Sequence, residues 1–201
     1  MYMLSRDQVI EKAVFLDKDG TLIRDVPFNV NPSLVVFEDG VFEGLRLLQD
    51  IGFRLVIISN QSGVAKGLFS TRQLKSLISY FDKMFLFNGL KLSGFYYCPH
   101  LPNAIDDGCD CCKPKPGLLL RAAEDLNIDL SQSWMVGDIL NDVEAGKRAG
   151  CRTVLIDNGN ETEWVSGPCR NPDYTACSFL EGAHHIISMQ TIYTNASTQT
   201  I

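Results

Sequence analysis

Long apolar runs, a surplus of basic charge and internal repeats are all missing from this chain, and each absence removes a class of function. No apolar stretch in the 201 residues approaches the length of a bilayer-spanning helix, so no membrane partner is expected. Lysine and arginine number 18 against 24 acidic residues, giving a net charge of −6. A general nucleic-acid surface needs clustered cations, so no nucleic-acid partner is expected either. The opening residues, MYMLSRDQVIEKAVFLD, contain no basic segment followed by an apolar one, and no secretion signal is expected. With 45% hydrophobic and 21% charged residues, the composition suits a soluble globular protein with one sizeable core rather than two. The expected location is the cytoplasm, where thiols stay reduced and clustered cysteines bind metal more often than they pair.

What is present is an alternation of apolar, β-rich runs with segments of helical period. That is the pattern of a parallel sheet covered by helices on both faces, a Rossmann-like α/β fold. AVFLD (Ala13 to Asp17) reads as a first strand and FRLVIISN (Phe53 to Asn60) as a second. GFYYC (Gly94 to Cys98), WMVGD (Trp134 to Asp138) and RTVLID (Arg152 to Asp157) read as three more, and a weak strand and helix are expected around Tyr174 to Ile187. Phe42, Leu45, Leu48 and Ile51 recur at helical spacing, and Gly52 sits where a C-terminal cap belongs. Ser70 to Gln73 fits a capping box ahead of a helix whose apolar face is Leu74, Leu77, Ile78, Phe81 and Phe85. Pro116 fits a first helical position, with a helix to about Asn127, and a short helix is expected to end near Ala149. One domain is expected over residues 1–189, with a flexible polar tail over 190–201.

In an open parallel sheet, ligands bind beyond the carboxyl ends of the strands. The first strand delivers Asp17, Asp19 and Thr21 there, the second Ser59, Asn60, Gln61 and Ser62, and the fourth Asp138 with Asn141 and Asp142 close behind. A single aspartate after a strand is usually a turn former. Carboxylates at adjacent strand ends repel unless a divalent cation sits among them, and all-oxygen ligation is what Mg²⁺ prefers.

The run CPHLPNAIDDGCDCC packs four of the seven cysteines and one of the three histidines into one short segment. Cys98 with His100, and Cys109 with Cys111, form two i, i+2 pairs, which point to one side of an extended chain. Together they can supply three thiolates and an imidazole to a structural zinc ion. A disulfide is disfavoured by the compartment and by the awkward Cys-x-Cys spacing. Unligated buried cysteines explain neither the histidine nor the symmetry. Cys151, Cys169 and Cys177 have no matched partners, and His184-His185 reads as packing or surface.

DKDGT after one strand, SNQSG after the next, Lys113 ahead of a helix and GDILND after a later strand together resemble the four motifs of the haloacid dehalogenase-type phosphohydrolases. The resemblance covers about Ala13 to Ile187. It implies Asp17 as a nucleophile forming an aspartyl-phosphate, and Asp19 as the acid and then the base. It implies Mg²⁺ held by Asp17, Asp138 and the backbone carbonyl of Asp19. Ser59 and Asn60 would donate to phosphoryl oxygens, and Lys113 would neutralise developing charge. Asp142 would orient either the metal shell or Lys113, and Lys18 is expected to be solvated.

The zinc-loop pattern with FYY before it resembles the branch holding heptose bisphosphate and histidinol-phosphate phosphatases, in which this loop stands in place of a full cap domain. The implied substrate is a small phosphorylated sugar, nearest to a heptose 1,7-bisphosphate of surface-glycan synthesis, handled by a monomer. Gln61, Ser62, Asp25 and Phe28 fall where substrate would be held. Cys112 and Ile139 stand where that branch usually carries cations, which leaves Arg24, Lys66 or Lys115 for a second phosphate, each by default a surface charge. Cys112 itself remains either an alternative zinc ligand or a free thiol. Histidinol phosphate or another small metabolite is the competing substrate, and a polynucleotide 3′-phosphatase is disfavoured by the acidic balance. A zinc-stabilised, non-catalytic interaction module is the alternative from another class, and Mg²⁺-dependent turnover separates it from an enzyme.

Overall fold

Among the described residues, 10–101 and 109–198 of a computed structural model, six strands form one all-parallel sheet. They are β1 (Lys12–Leu16), β2 (Phe53–Asn60), β3 (Leu92–Cys98), β4 (Trp134–Gly137), β5 (Arg152–Ile156) and β6 (Tyr174–Ala176), in the order β3-β2-β1-β4-β5-β6. Side chains alternate across each strand, and both faces are buried. Val14 and Leu16 of β1 face a core completed by α1 (Val41–Asp50), α2 (Thr71–Phe87) and α5 (Phe179–Thr198). Ala13 and Phe15 face a second core built with α3 (Gly117–Leu126) and α4 (Leu140–Ala149). Burial on both sides is why the strands read as near-continuous apolar runs rather than as alternating ones.

Local signals in the sequence account for the element ends. Gly52 takes φ +87° just beyond α1, a conformation that favours glycine. At the start of α2, the Ser70 hydroxyl accepts from the Gln73 amide (3.3 Å) while the Gln73 side chain accepts from the Ser70 amide (2.9 Å). Between β1 and α1 the chain makes a one-residue antiparallel bridge, Ile23 to Phe37, and a 3-10 turn at Pro32–Leu34. Among the described residues no cap domain is inserted there. His185 stacks on Tyr174 at 3.8 Å, a packing role. No described helix is long and apolar enough to cross a membrane.

The expected tail over 190–201 falls partly on α5, which runs to Thr198, and its last three residues lie outside the described ones. So do residues 1–9, where the reading of no secretion signal begins, and the 102–108 loop expected to join the two cysteine pairs.

The order places β2 on one side of β1 and β4 on the other, so the connections leave in opposite directions. That reversal opens a crevice beyond the carboxyl ends of β1 and β4, the general ligand position of such sheets.

Candidate active site

Asp17 directly follows β1, and its amide donates to the Val136 carbonyl of β4 at 2.9 Å, which pins it at the crevice. Asp138 directly follows β4. Oxygens of Asp17, Asp138 and Asp142 all lie within 4.8 Å of one another, and all three residues are buried. Two glycines make this approach possible. A Cβ on Gly20, at φ +85°, would stand 2.1 Å from Asp138 Oδ2, and one on Gly137 would stand 2.3 Å from Asp142 Cβ. The Thr21 hydroxyl donates to Asp138 Oδ1 (3.1 Å) and Asn160 Nδ2 to Asp138 Oδ2 (2.8 Å), so that carboxylate is gripped at both oxygens.

Lys113 enters this group from the segment ahead of α3. Its ammonium contacts Asp17 Oδ1, lies 2.7 Å from Asp142 Oδ1 and donates to the Ile58 carbonyl at 3.0 Å. The side chain is only 3% exposed. Burial opposes its charge, yet Asp142 and Asp17 outweigh that and raise its pKa. Burial, then the charges of Asp17 and Asp142, push Asp138 up to about 8. Burial likewise lifts Asp142 to about 6 against the pull of Lys113. One ammonium among three acidic groups leaves excess negative charge. A hard divalent cation would relieve it, and an all-oxygen set of this kind fits Mg²⁺.

The other strand-end residues gather around the same point. The Ser59 hydroxyl accepts from Gln61 Nε2 at 2.8 Å, and the same amide group lies 3.3 Å from Asp19 Oδ2. Asp19 Oδ1 is paired with Lys18, and burial leads the causes that raise the Asp19 pKa. The Asn60 side chain bonds both backbone groups of Lys113, accepting from its amide (3.0 Å) and donating to its carbonyl (3.1 Å). That amide group fixes the Lys113 backbone in place at the edge of the crevice.

Two adjoining recesses open here. One, of about 270 Å³, is lined by Asp17, Asp19, Asp25, Asn60, Lys113, Asp138, Ile139 and Asn160. The other, of about 200 Å³, shares Asp19, Asp25 and Asn60 and adds Pro27, Phe28, Asn29, Gln61, Ser62, Gly63 and Phe69.

The cysteine segment forms a separate cluster just beyond β3. Cys98 Sγ lies 3.7 Å from Cys109 Sγ and 3.6 Å from His100 Nδ1, while Cys111 Sγ lies 3.2 Å from Cys109 Sγ and 3.4 Å from His100 Nδ1. Zn–S bonds of about 2.3 Å and Zn–N bonds of about 2.0 Å at tetrahedral angles need about 3.8 Å between sulfurs and about 3.5 Å from sulfur to nitrogen. Three of these distances fit that figure, and the Cys109–Cys111 separation of 3.2 Å is shorter than it. Cys112 lies beside the set with its thiol 3.8 Å from the His100 carbonyl.

One expectation is corrected: Lys18 is fully buried and ion-paired to Asp19, not solvated. The turn from Asp17 to Ile23 folds back on the Lys18 carbonyl, which accepts from Leu22 and Ile23, and encloses the side chain. Asn158 and Asn160 were missed. They follow β5, where Asn158 Nδ2 donates to the Gly20 carbonyl at 2.7 Å and Asn160 reaches Asp138. They stand beyond the carboxyl end of a strand as the other site residues do, but in a segment with no helical or strand period to mark them.

A family model described as HAD-hydrolase-like matches residues 110–182. The D-glycero-beta-D-manno-heptose-1,7-bisphosphate 7-phosphatase of Pasteurella multocida is 44% identical over 154 residues, covering 75% of this chain and 84% of the relative. The protein of the same name from Escherichia coli K12 is 39% identical over 166 residues, covering 76% and 87%. Among solved structures, the D,D-heptose 1,7-bisphosphate phosphatase of B. bronchiseptica, complexed with magnesium and phosphate, superposes with a TM-score of 0.73 at 27% identity. That match covers 89% of this chain and 99% of the other.

Proposed function

The chain belongs to the haloacid dehalogenase-like phosphatases, in the family of the heptose-1,7-bisphosphate 7-phosphatases, and from that premise we propose that it hydrolyses the 7-phosphate of a D-glycero-beta-D-manno-heptose 1,7-bisphosphate. One observation carries the reading. A carboxylate, a second carboxyl of raised pKa and a buried ammonium line one crevice, and the Ser59 hydroxyl lies behind them, bonded to the Gln61 amide that reaches Asp19.

Asp17 is the nucleophile. Its carboxylate attacks phosphorus, the bond from phosphorus to the sugar's C7 oxygen breaks, and Asp19 gives that oxygen a proton. The raised Asp19 pKa favours keeping the proton until it is needed. In the second half a water attacks phosphorus, Asp19 takes the water's proton, and the Asp17–phosphorus bond breaks to release inorganic phosphate. Ser59 already accepts from Gln61, which leaves its own hydrogen to donate to a phosphoryl oxygen. Lys113 neutralises charge that grows on those oxygens, held in place by Asp142, the Ile58 carbonyl and the Asn60 side chain. Asp17, Asp138 and the Asp19 carbonyl would hold Mg²⁺, which would offset the negative charge that opposes the approach of a carboxylate to a phosphoryl group. Asp25, Phe28 and Ser62, in the second recess, hold the sugar.

Cys98, His100, Cys109 and Cys111 hold zinc. With four protein donors no position is left for water or substrate, so this ion stabilises the loop and takes no part in the chemistry.

Phosphate release from both anomers of the heptose bisphosphate and from histidinol phosphate, with and without Mg²⁺, tests the reading. Mg²⁺-dependent release with the highest kcat/KM on the β anomer is expected. A preference for histidinol phosphate overturns the substrate. A folded, zinc-loaded sample that releases phosphate from none of them overturns the enzyme and restores the interaction module.

A further inference from the structure

A bisphosphate brings a second dianion that stays bound while the first is transferred, and the two recesses are poorly built to receive it. Lys113 is the one cation lining either of them among the described residues, and it is already committed to Asp17 and Asp142. Asp19 and Asp25 line both recesses and would repel a phosphate there. A cation must therefore come from the rim.

Three stand on the surrounding segments. Lys115 donates to the Cys109 carbonyl and serves the cysteine loop. Arg24, exposed, lines neither recess. Lys66, also exposed, lines neither recess itself, but two contacts tie it to the second one. Its amide bonds to the carbonyl of Ser62, a wall residue of the second recess, at 3.0 Å, so it sits one turn beyond that wall. Its ammonium lies 4.5 Å from the ring centroid of Phe28, which lines the same recess. Phe28 is held at φ +57°, rare for a bulky residue, with its side chain 46% exposed. Backbone strain of that kind persists only where the surroundings enforce it, and here it presents the ring toward the recess and Lys66. Among the described residues Lys66 has no carboxylate at ion-pair distance. The aromatic face attracts the ammonium without neutralising its charge. An ammonium parked on such a wall is ordered yet free to swing to an incoming anion.

Resting on the bisphosphate reading above, we propose that Lys66 is the specificity-determining residue that receives the non-reacting phosphate, with Phe28 as its resting place.

The test compares kcat/KM for the heptose 1,7-bisphosphate and for the heptose 7-phosphate in the wild type, Lys66→Met and Lys66→Arg, all in saturating Mg²⁺. The wild type is expected to prefer the bisphosphate. In Lys66→Met that preference should shrink by roughly ten- to a hundredfold, the value of a lost charge-assisted hydrogen bond, through KM with kcat little changed. Lys66→Arg should restore most of it. A Lys66→Met protein that keeps the wild-type preference overturns the role of Lys66 and leaves the substrate reading standing. A wild type with no preference for the bisphosphate overturns both. Phe28→Leu gives a second check. It should weaken the preference less than Lys66→Met does, because it removes the resting place and keeps the charge; a larger loss would shift the role from Lys66 to the ring.

Discussion

The acidic crevice and the cysteine cluster sit close in sequence at Cys111 and Lys113, yet they are built on opposite plans. The crevice collects hard oxygen donors from the ends of β1 and β4, raises the pKa values of Asp138 and Asp142 by burial and neighbouring charge, and leaves two recesses open beside them. The cluster collects three thiols and an imidazole from one end of β3 and the loop after it, with all four donor atoms within 4.8 Å of one another. Softness and closure suit a permanent ion, whereas hardness and openness suit an exchangeable one beside a substrate. Lys113 joins the two regions. Its backbone is fastened by Asn60 and its ammonium by Asp17, Asp142 and the Ile58 carbonyl, so its position rests on the sheet more than on the cluster.

The widest separation between the two regions should come from Asp17→Asn. Losing a nucleophile that works as part of a unit should cost about 10⁴-fold or more in kcat. Bound zinc and thermal stability should stay at wild-type levels or rise, because one of the mutually repelling carboxylates is gone. Steady-state kinetics beside metal analysis decides it, and substantial residual turnover would sink the covalent mechanism.

Cys111→Ser should do the reverse. It breaks a four-donor set whose three thiols are buried, and Tm should fall by roughly 10 °C or more if that set holds a structural metal as proposed. The fraction still folded at low temperature should keep much of its kcat, since Lys113 has its own anchors. A proportional loss of kcat with Tm unchanged would mean that the cluster belongs to the chemistry after all.

How much of this could be read in the sequence depended on where each residue lay relative to a strand. Asp17, Ser59, Asn60 and Asp138 follow apolar runs directly, and the topology of a parallel sheet carries them to one edge. The cysteine pairs were legible because two-residue spacing is a local property. Lys18 was misjudged because buried lysines are rare and only the return of the chain at Leu22 and Ile23 encloses this one. Asn160 follows β5 in a segment with no helical or strand period, and its link to Asp138 exists only once β5 lies beside β4. The pairing of Phe28 with Lys66 joins two loops that carry no signal for each other.

Asn160 offers a finer test of the crevice. It touches Asp138, so it positions that carboxylate and has no direct part in bond breaking. Asn160→Ala should raise the Mg²⁺ concentration for half-maximal activity by about 10–100-fold, as loss of a partner to a metal ligand commonly does. The Tm gain at a fixed low Mg²⁺ concentration should shrink in step, while kcat recovers at high Mg²⁺. An unchanged Mg²⁺ midpoint would reduce Asn160 to a loop-packing residue.

The smallest effect is a pH dependence confined to the crevice. Burial, with Asp17 and Asp142 adding charge, raises folded Asp138 from 3.8 to about 8. Between those values the folded chain holds a proton that the unfolded chain has released. With no divalent ion added, the stabilisation from that proton is complete below pH 3.8 and is lost as pH rises through about 8. Mg²⁺ competes for the same oxygens, so its binding should strengthen over the range in which the proton leaves. At a fixed, sub-saturating Mg²⁺ concentration the gain in Tm should therefore be larger near pH ~8.5 than near pH ~6.5. In Asp138→Asn most of this pH dependence should vanish together with most of the gain. The cluster gives the contrast: its thiolate and imidazole donors are soft, and it should show no comparable Mg²⁺ response at either pH. A wild-type Tm gain that is flat across the range would mean that the crowding of Asp17, Asp138 and Asp142 is relieved some other way.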